Sequence, residues 1–364
     1  MAAYTTIDDP SAYFKVQLYT GNGSANHAIT FDDTDTDMQP DFVWIKNRDT
    51  TDSHCLFDSV RGATKLISSD ATNAESTDTD TLDSFATDGF QVDADVKVNT
   101  NAEKYVAWCW KAGTSFTNDQ SATGVGSIDS DGSINTTSGF AIIRWSGTAS
   151  NATIAHGIAA PKMMIIKRIS GGTEQWIVYH QAISPAKHLF LNLTDAETAD
   201  TNNFQNTATT SSVFSVGTYN QMNASGTDNM IAYCFAPKQG FSKFGSYISN
   251  NSSDGVFVYL GFKPSFVMVK GSSAAGLNWV IHDNKRHSVT PASGGTNFNV
   301  INRQLMPNLT NADDTNDGID FLSNGFKWRW NGGDVNGTAG RTYVYMAFAE
   351  APFVNSNGVP CNAR

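Results

Sequence analysis

The chain has 364 residues, 40% of them hydrophobic, enough to bury two or three cores of ordinary size. Charged residues are only 16% and the net charge is −11, so Thr, Asn, Ser and unpaired Asp must solvate the surface. Such a face repels phosphate backbones and disfavours nucleic-acid binding.

The amino end has neither a basic region nor an apolar core, and no segment approaches about 18 consecutive apolar residues, so neither a signal peptide nor a membrane span is expected. The first strand pattern is Phe14-Lys15-Val16-Gln17-Leu18-Tyr19, before Gly21-Asn22-Gly23. It returns as Phe140-Ala141-Ile142-Ile143-Arg144-Trp145 before Gly147, and less clearly as Phe241 and Phe244 before Gly245.

Pro40-Asp41-Phe42-Val43-Trp44-Ile45-Lys46 follows, with counterparts Pro161-Lys162-Met163-Met164-Ile165-Ile166-Lys167 and Pro264-Ser265-Phe266-Val267-Met268-Val269-Lys270. A proline, an apolar run and a closing lysine read as a buried strand with a fixed start and a solvated end. At nearly equal distances come His54-Cys55-Leu56-Phe57-Asp58, Trp176-Ile177-Val178-Tyr179-His180 and Trp279-Val280-Ile281-His282-Asp283, after loops of hairpin length. A weaker third element is Lys65-Leu66-Ile67-Ser68, Leu189-Phe190-Leu191-Asn192 and Gln304-Leu305-Met306-Pro307. Asp88-Gly89-Phe90 and Asn324-Gly325-Phe326 predict tight reversals into a strand; Ser212-Val213-Phe214 is the glycine-less equivalent.

The closing strands are Tyr105-Val106-Ala107-Trp108-Cys109-Trp110, Met230-Ile231-Ala232-Tyr233-Cys234-Phe235 and Tyr343-Val344-Tyr345-Met346-Ala347-Phe348. One face carries large side chains and the other mostly small ones, which predicts a central strand covered on both sides. Stretches of helical periodicity are missing. The expected fold is all-β: three tandem β-sandwich modules of jelly-roll or lectin-like type, spanning residues 1–117, 118–239 and 240–364, each with its own aromatic core. The Gly- and Ser-rich sequence between Gly113 and Gly139 reads as a linker hairpin, and the tail from Asn355 as loosely held.

Residue types that could carry chemistry have plainer readings. Cys55, Cys109, Cys234 and Cys361 lack zinc spacing, and Cys109 and Cys234 occupy one position in two modules, so neither disulfide nor metal is expected. The run Asp32-Asp33-Thr34-Asp35-Thr36-Asp37 concentrates carboxylates as a calcium loop does, yet lacks the EF-hand glycine and glutamate and reads as a hairpin tip. Asx turns account for Asp129-Ser130-Asp131-Gly132 and Asp313-Asp314-Thr315-Asn316-Asp317-Gly318. Asp58, Asp88 and Asp283 stand at repeated turn or strand-end positions, and no acid looks isolated in an apolar setting that would raise its pKa, which disfavours a glycosidase pair. His282 aligns with Phe57 and Tyr179 and is expected to pack; no hydrolase, dinucleotide, phosphate-loop or zincin motif occurs, and no cofactor is expected. Trp328 and Trp330 alternate around Arg329 ahead of Asn331-Gly332-Gly333-Asp334. Such rings and polar groups can bind a sugar, so Trp328, Arg329, Trp330 and Asp334 are the candidate carbohydrate-binding residues, although core packing is the commoner role of a Trp-x-Trp strand.

The strings Tyr19-Thr20-Gly21-Asn22-Gly23, Met38-Gln39-Pro40-Asp41, Leu56-Phe57-Asp58-Ser59-Val60-Arg61-Gly62, Tyr105-Val106-Ala107-Trp108-Cys109-Trp110-Lys111-Ala112-Gly113 and Gly240-Phe241-Ser242-Lys243-Phe244-Gly245-Ser246-Tyr247 run through the whole chain. In these the chain resembles a family of uncharacterised repeat proteins encoded by marine bacteriophages and found in virion or tail regions. The resemblance implies a non-enzymatic virion protein assembled in the host cytoplasm, a tail-associated fibre or appendage contacting the host surface. A capsid decoration protein and a tailspike-type polysaccharide depolymerase are the alternatives. Expected partners are other virion proteins, host surface glycan and further copies of the chain.

Overall fold

The structure is a computed structural model and describes residues 3–32, 36–226, 228–286, 300–315 and 318–360. Asp33, Thr34, Asp35, Asn316, Asp317 and Cys361, named above, lie outside them. The regular structure is nearly all antiparallel strand, and the helices among the described residues are single turns, such as Val96–Asn99 capped by the Asp95 carboxylate.

One strand order occurs three times. In the first unit the opening strand Phe14–Thr20, the closing strand Lys104–Trp110, the proline strand Phe42–Asn47 and the second strand Cys55–Asp58 lie side by side in that order. Phe140–Ser146, Asn229–Phe235, Met163–Arg168 and Ile177–His180 repeat it, as do Ser242–Ile248, Thr342–Pro352, Phe262–Gly271 and Trp279–Asp283. The closing strand is therefore flanked on both sides each time, as its two apolar faces require. Thr114–Asn118 and Ser130–Asn135, the expected linker hairpin, extend the second large sheet beyond its opening strand.

A smaller sheet belongs to each large one. Its edge strand is His27–Thr30, Ala152–Ala155 or Phe257–Tyr259, paired respectively with Gly89–Val92, Val213–Val216 or Gly325–Trp328. Gly89 and Gly325 pass so close beneath the edge strand that a Cβ would meet the Ile29 carbonyl oxygen at 2.0 Å and that of Val258 at 2.1 Å. Only glycine fits at these turns.

The two faces of the closing strand have different neighbours. Ala107 and Cys109 pack with Ile29 and Phe90 of the first small sheet, and Ala232 and Cys234 with Ile154 and Phe214 of the second. Small side chains there let each unit's own layers approach closely. The large faces meet one another. Trp110, Phe235 and Phe348, equivalent residues of the three closing strands, form a triangle with ring centroids 6.2, 5.9 and 5.6 Å apart. Around it Phe42 stacks on Tyr233 at 4.1 Å and Phe266 meets Trp108 edge-on at 5.9 Å. The expectation of a separate aromatic core in each unit is incomplete. The first and second units each keep a core of their own, with Phe57, Phe90 and Tyr105 in one and Trp145, Tyr179 and Phe214 in the other. A further aromatic core is shared by all three, because the large faces have nothing else to be buried against.

Two further expectations change. Lys46, Lys167 and Lys270 do not end in solvent but are fully buried. The Lys46 ammonium donates to the carbonyls of Asn47 and Thr50 at 2.6 and 3.1 Å, Lys167 to Thr72 and Glu174 at 2.8 and 2.5 Å, and Lys270 to Leu277, Gly271 and Thr194 at 2.8, 3.1 and 3.3 Å. Three donors on one ammonium satisfy loop carbonyls that would otherwise be stranded. And Pro264 lies inside its strand, between two register shifts, where a bulge removes the need for its missing donor.

Candidate functional site

Side chains able to do chemistry gather at the joins between units. At the end of the second strand, Asp58 accepts the backbone N–H of Arg61 at 2.9 Å and its Nε at 2.5 Å, and also accepts the hydroxyl of Tyr233, from the second unit, at 2.7 Å. Asp283 repeats this with Arg286 at 2.9 and 2.6 Å and accepts Trp108 Nε1, from the first unit, at 3.0 Å. Burial opposes the charge on Asp283, but the Arg286 guanidinium and the Trp108 N–H hold its carboxyl below the usual range. In the second unit His180 holds this position and meets the Tyr345 carbonyl of the third at 3.1 Å. There Met346 stands where Trp108 and Tyr233 supply donors, so a carboxylate would lack its partner, and an imidazole turned to the backbone replaces it.

The start of the second element reaches the other neighbour. Trp176 Nε1 donates to the Ser68 carbonyl at 2.9 Å, Trp279 Nε1 to that of Phe190 at 2.8 Å, and His54 Nε2 meets that of Met306 at 3.2 Å. Each unit thus grips both others, and the third closes onto the first. Sequence reading placed Asp58 and Asp283 at turns and missed this role; their shared Asp-x-x-Arg spacing was the available signal.

The expectation that no acid sits in a pKa-raising setting is corrected as well. Burial pushes up the carboxyls of Asp41 and Asp70. Each is nonetheless tied into the scaffold, Asp41 by Ser59 Oγ and the Ala112 N–H at 2.7 and 2.9 Å, and Asp70 by Ser53 Oγ and the His54 N–H, both at 2.9 Å. An open trough of about 760 Å³ on the second unit carries Asp119, Asp129, Asp131 and Arg144. Its carboxylates are already engaged: Asp119 caps the Ser121 N–H at 2.9 Å, Asp129 accepts from Gln120 at 2.8 Å, and Asp131 pairs with Arg144 at 2.6 Å. Asp313, read as part of a turn, bridges Arg48 and Arg286 at 3.1 and 2.7 Å across the join of third to first unit. His282 is buried against the Trp328 ring at 5.6 Å. Cys55, Cys109 and Cys234 are free thiols inside the core.

The structure separates the four candidate carbohydrate-binding residues. Trp328 is corrected: its ring is 0% exposed, packed against Phe326 and Tyr247, because strand alternation turns it into the sandwich, so it cannot stack on a ligand. Asp334 is spent on the Asn278 backbone and amide N–H at 2.6 and 3.1 Å. Trp330, 43% exposed, and Arg329, paired with Asp320 at 2.5 Å, remain at the surface. Two aromatics the sequence reading did not single out lie on the edge strand of the same sheet, Phe257 at 45% and Tyr259 at 50% exposure. Phe257 sits opposite Lys327, which pairs with Asp254 at 2.6 Å, and the Lys243 ammonium lies 5.2 Å from the Tyr259 ring centroid.

The repeats supply an internal control. Register equates Val258 with Ile29 and Ile154, and Phe326 with Phe90 and Phe214. Phe257 then corresponds to Ala28 and Thr153, Tyr259 to Thr30 and Ala155, Lys327 to Gln91 and Ser215, and Trp330 to Ala94 and Thr218. The fold is thus built twice over without aromatic or basic side chains at these positions. Their signal in the sequence was alternation about Val258 in a strand too short to stand out.

Fold and site together define a closed, three-unit, all-β scaffold whose third unit carries exposed aromatic side chains, Phe257, Tyr259 and Trp330. Among the described residues no helix is long and apolar enough to cross a membrane. The chain belongs to the family Domain of unknown function (DUF7483), whose model matches residues 9–352. No curated protein and no solved structure matches it.

Proposed function

We propose that the chain is a non-enzymatic bacteriophage virion protein, a tail-associated fibre or appendage whose third unit contacts glycan on the host surface. The resemblance in the sequence supplies the setting. The observation that carries the contact is the gathering of Phe257, Tyr259 and Trp330 on one unit, at positions where the other two have Ala or Thr. Exposed rings bordered by Lys327, Arg329 and Asp254 offer stacking surface and directed hydrogen bonds together, the combination a sugar chain needs. Copies of the chain held on a particle would multiply a weak contact into avidity.

Binding of the isolated protein to host cells and to extracted surface polysaccharide tests this reading. Phe257→Ala, Tyr259→Ala and Trp330→Ala are expected to weaken attachment by tenfold or more with the melting temperature nearly unchanged, since none of the three is in the core. Attachment unaffected by all three removes the glycan contact. Labelled antibody on whole particles distinguishes tail from shell, the latter indicating capsid decoration. Clearing of host glycan by the protein alone would indicate a depolymerase.

A further inference from the structure

Among the described residues, two of the three joins contain a histidine, and both histidines hold the third unit. His54 of the first unit meets the Met306 carbonyl, and His180 of the second meets the Tyr345 carbonyl. The join of first to second unit uses Trp176 and Asp58 at the matching positions. In both histidines each ring nitrogen is committed. Trp44 Nε1, which can only donate, points at His54 Nδ1 at 2.9 Å, so Nδ1 accepts and Nε2 carries the hydrogen given to Met306. The Ala182 backbone N–H points at His180 Nδ1 at 3.2 Å, fixing the same tautomer. A second proton on either ring sets two donors face to face.

We propose that His54 and His180 are acid-sensitive latches that release the third unit on acidification while the first and second stay joined. The surroundings offer a protonated ring little compensation. Burial and the Lys46 and Arg286 cations act against charge on His54, and the Met306 carbonyl only partly offsets them. Asp70 meets the His54 backbone N–H rather than its ring, and Asp283 and Asp313 are taken up by Arg286. Trp108, stacked on the His54 ring at 6.4 Å, is neutral. Around His180 stand the Tyr345 carbonyl, the Ala182 N–H, and Gln181, whose amide reaches the Phe244 carbonyl at 2.5 Å; the Tyr345 phenol, pushed up to about 12 by burial, stays neutral. Burial pushes His180 down to about 4. The open form takes up protons near the ordinary histidine pKa of about 6.5, so opening grows as pH falls from there towards 4, by up to about tenfold per pH unit for each histidine. This device is independent of what the third unit binds.

Hydrogen exchange on the full chain, pulsed after equilibration at pH 7.5, 5.5 and 4.5, reads each join by its own amides. Glu197, Gly276 and Asp313 donate across the joins of the third unit, at 2.8, 2.9 and 2.8 Å, whereas Glu75 and Glu174 donate across the join of first to second, at 3.1 and 2.9 Å. The expected result is a loss of protection of tenfold or more at Glu197, Gly276 and Asp313 by pH 4.5, with Glu75 and Glu174 still protected. Loss at all five together overturns the proposal, because His156, His188 and His282 are also buried and would then act through global unfolding. Unchanged protection at the first three also overturns it. His54→Gln with His180→Gln should abolish the acid step; if that variant does not fold, the ordering of joins in the unaltered chain decides.

Discussion

At Trp108 one side chain serves two purposes. Its ring fills the shared core and its N–H satisfies Asp283 from the third unit. Trp108→Ala should cost about 3–5 kcal/mol by leaving a cavity. Trp108→Phe, which keeps most of the packing and removes the buried donor, should cost about 1–3 kcal/mol. Urea unfolding measures both: a negligible loss in Trp108→Phe would mean that the hydrogen bond contributes little, and equal losses that it outweighs the packing. The burial of Trp108 could be read from the alternation of the closing strand. Its bond to Asp283 could not, because it links positions 175 residues apart with the whole second unit between them. Trp328 misled for a related reason: alternation puts both rings of Trp-x-Trp on one face only while the strand lasts, and the strand ends at Trp328, so one ring is covered and Trp330 is left outside.

Among the elements, the proline strands show how much a pattern conveys. Their existence, length and burial were legible, while the fate of the terminal lysine was not, since solvent and a cage of carbonyls both suit an ammonium. Burial lowers Lys46, Lys167 and Lys270 to about 8. The unfolded chain keeps these protons until about pH 10.4, so folding sheds protons above pH 8 and stability should rise with pH there. Cys55, Cys109 and Cys234 act in the opposite sense, because burial raises their thiols and the unfolded chain ionises near 8.5–9. Denaturation midpoints should therefore climb from about pH 8, level off near pH 9 and fall above 10 as exposed tyrosines ionise in the unfolded chain. Replacing the three lysines by Met should remove the climb; a climb that survives would assign it to other groups.

For the whole molecule, three similar patterns announced three similar units but not what covers the large face of each. Identical alternation is produced whether a sheet buries that face under its own partner layer or against a sister sheet, and the choice lies in the arrangement of units, which strand periodicity does not encode. Because the joins run from first to second, second to third and third to first, every aromatic face is used. Open stacks of repeats need polar caps on their terminal members and tolerate gain or loss of a member. A closed set of head-to-tail contacts has no outermost member to cap. Its stoichiometry is fixed by the rotation between neighbours, so a duplication to four or a deletion to two would leave an aromatic wall facing water. Residues 113–239 expressed alone are accordingly expected to elute as a self-assembled trimer or to aggregate, and a well-folded monomer in light scattering would refute this. Repeat number in this architecture is thus set by angle, and a descendant can diverge in any one unit's outer face without being free to change how many units it has.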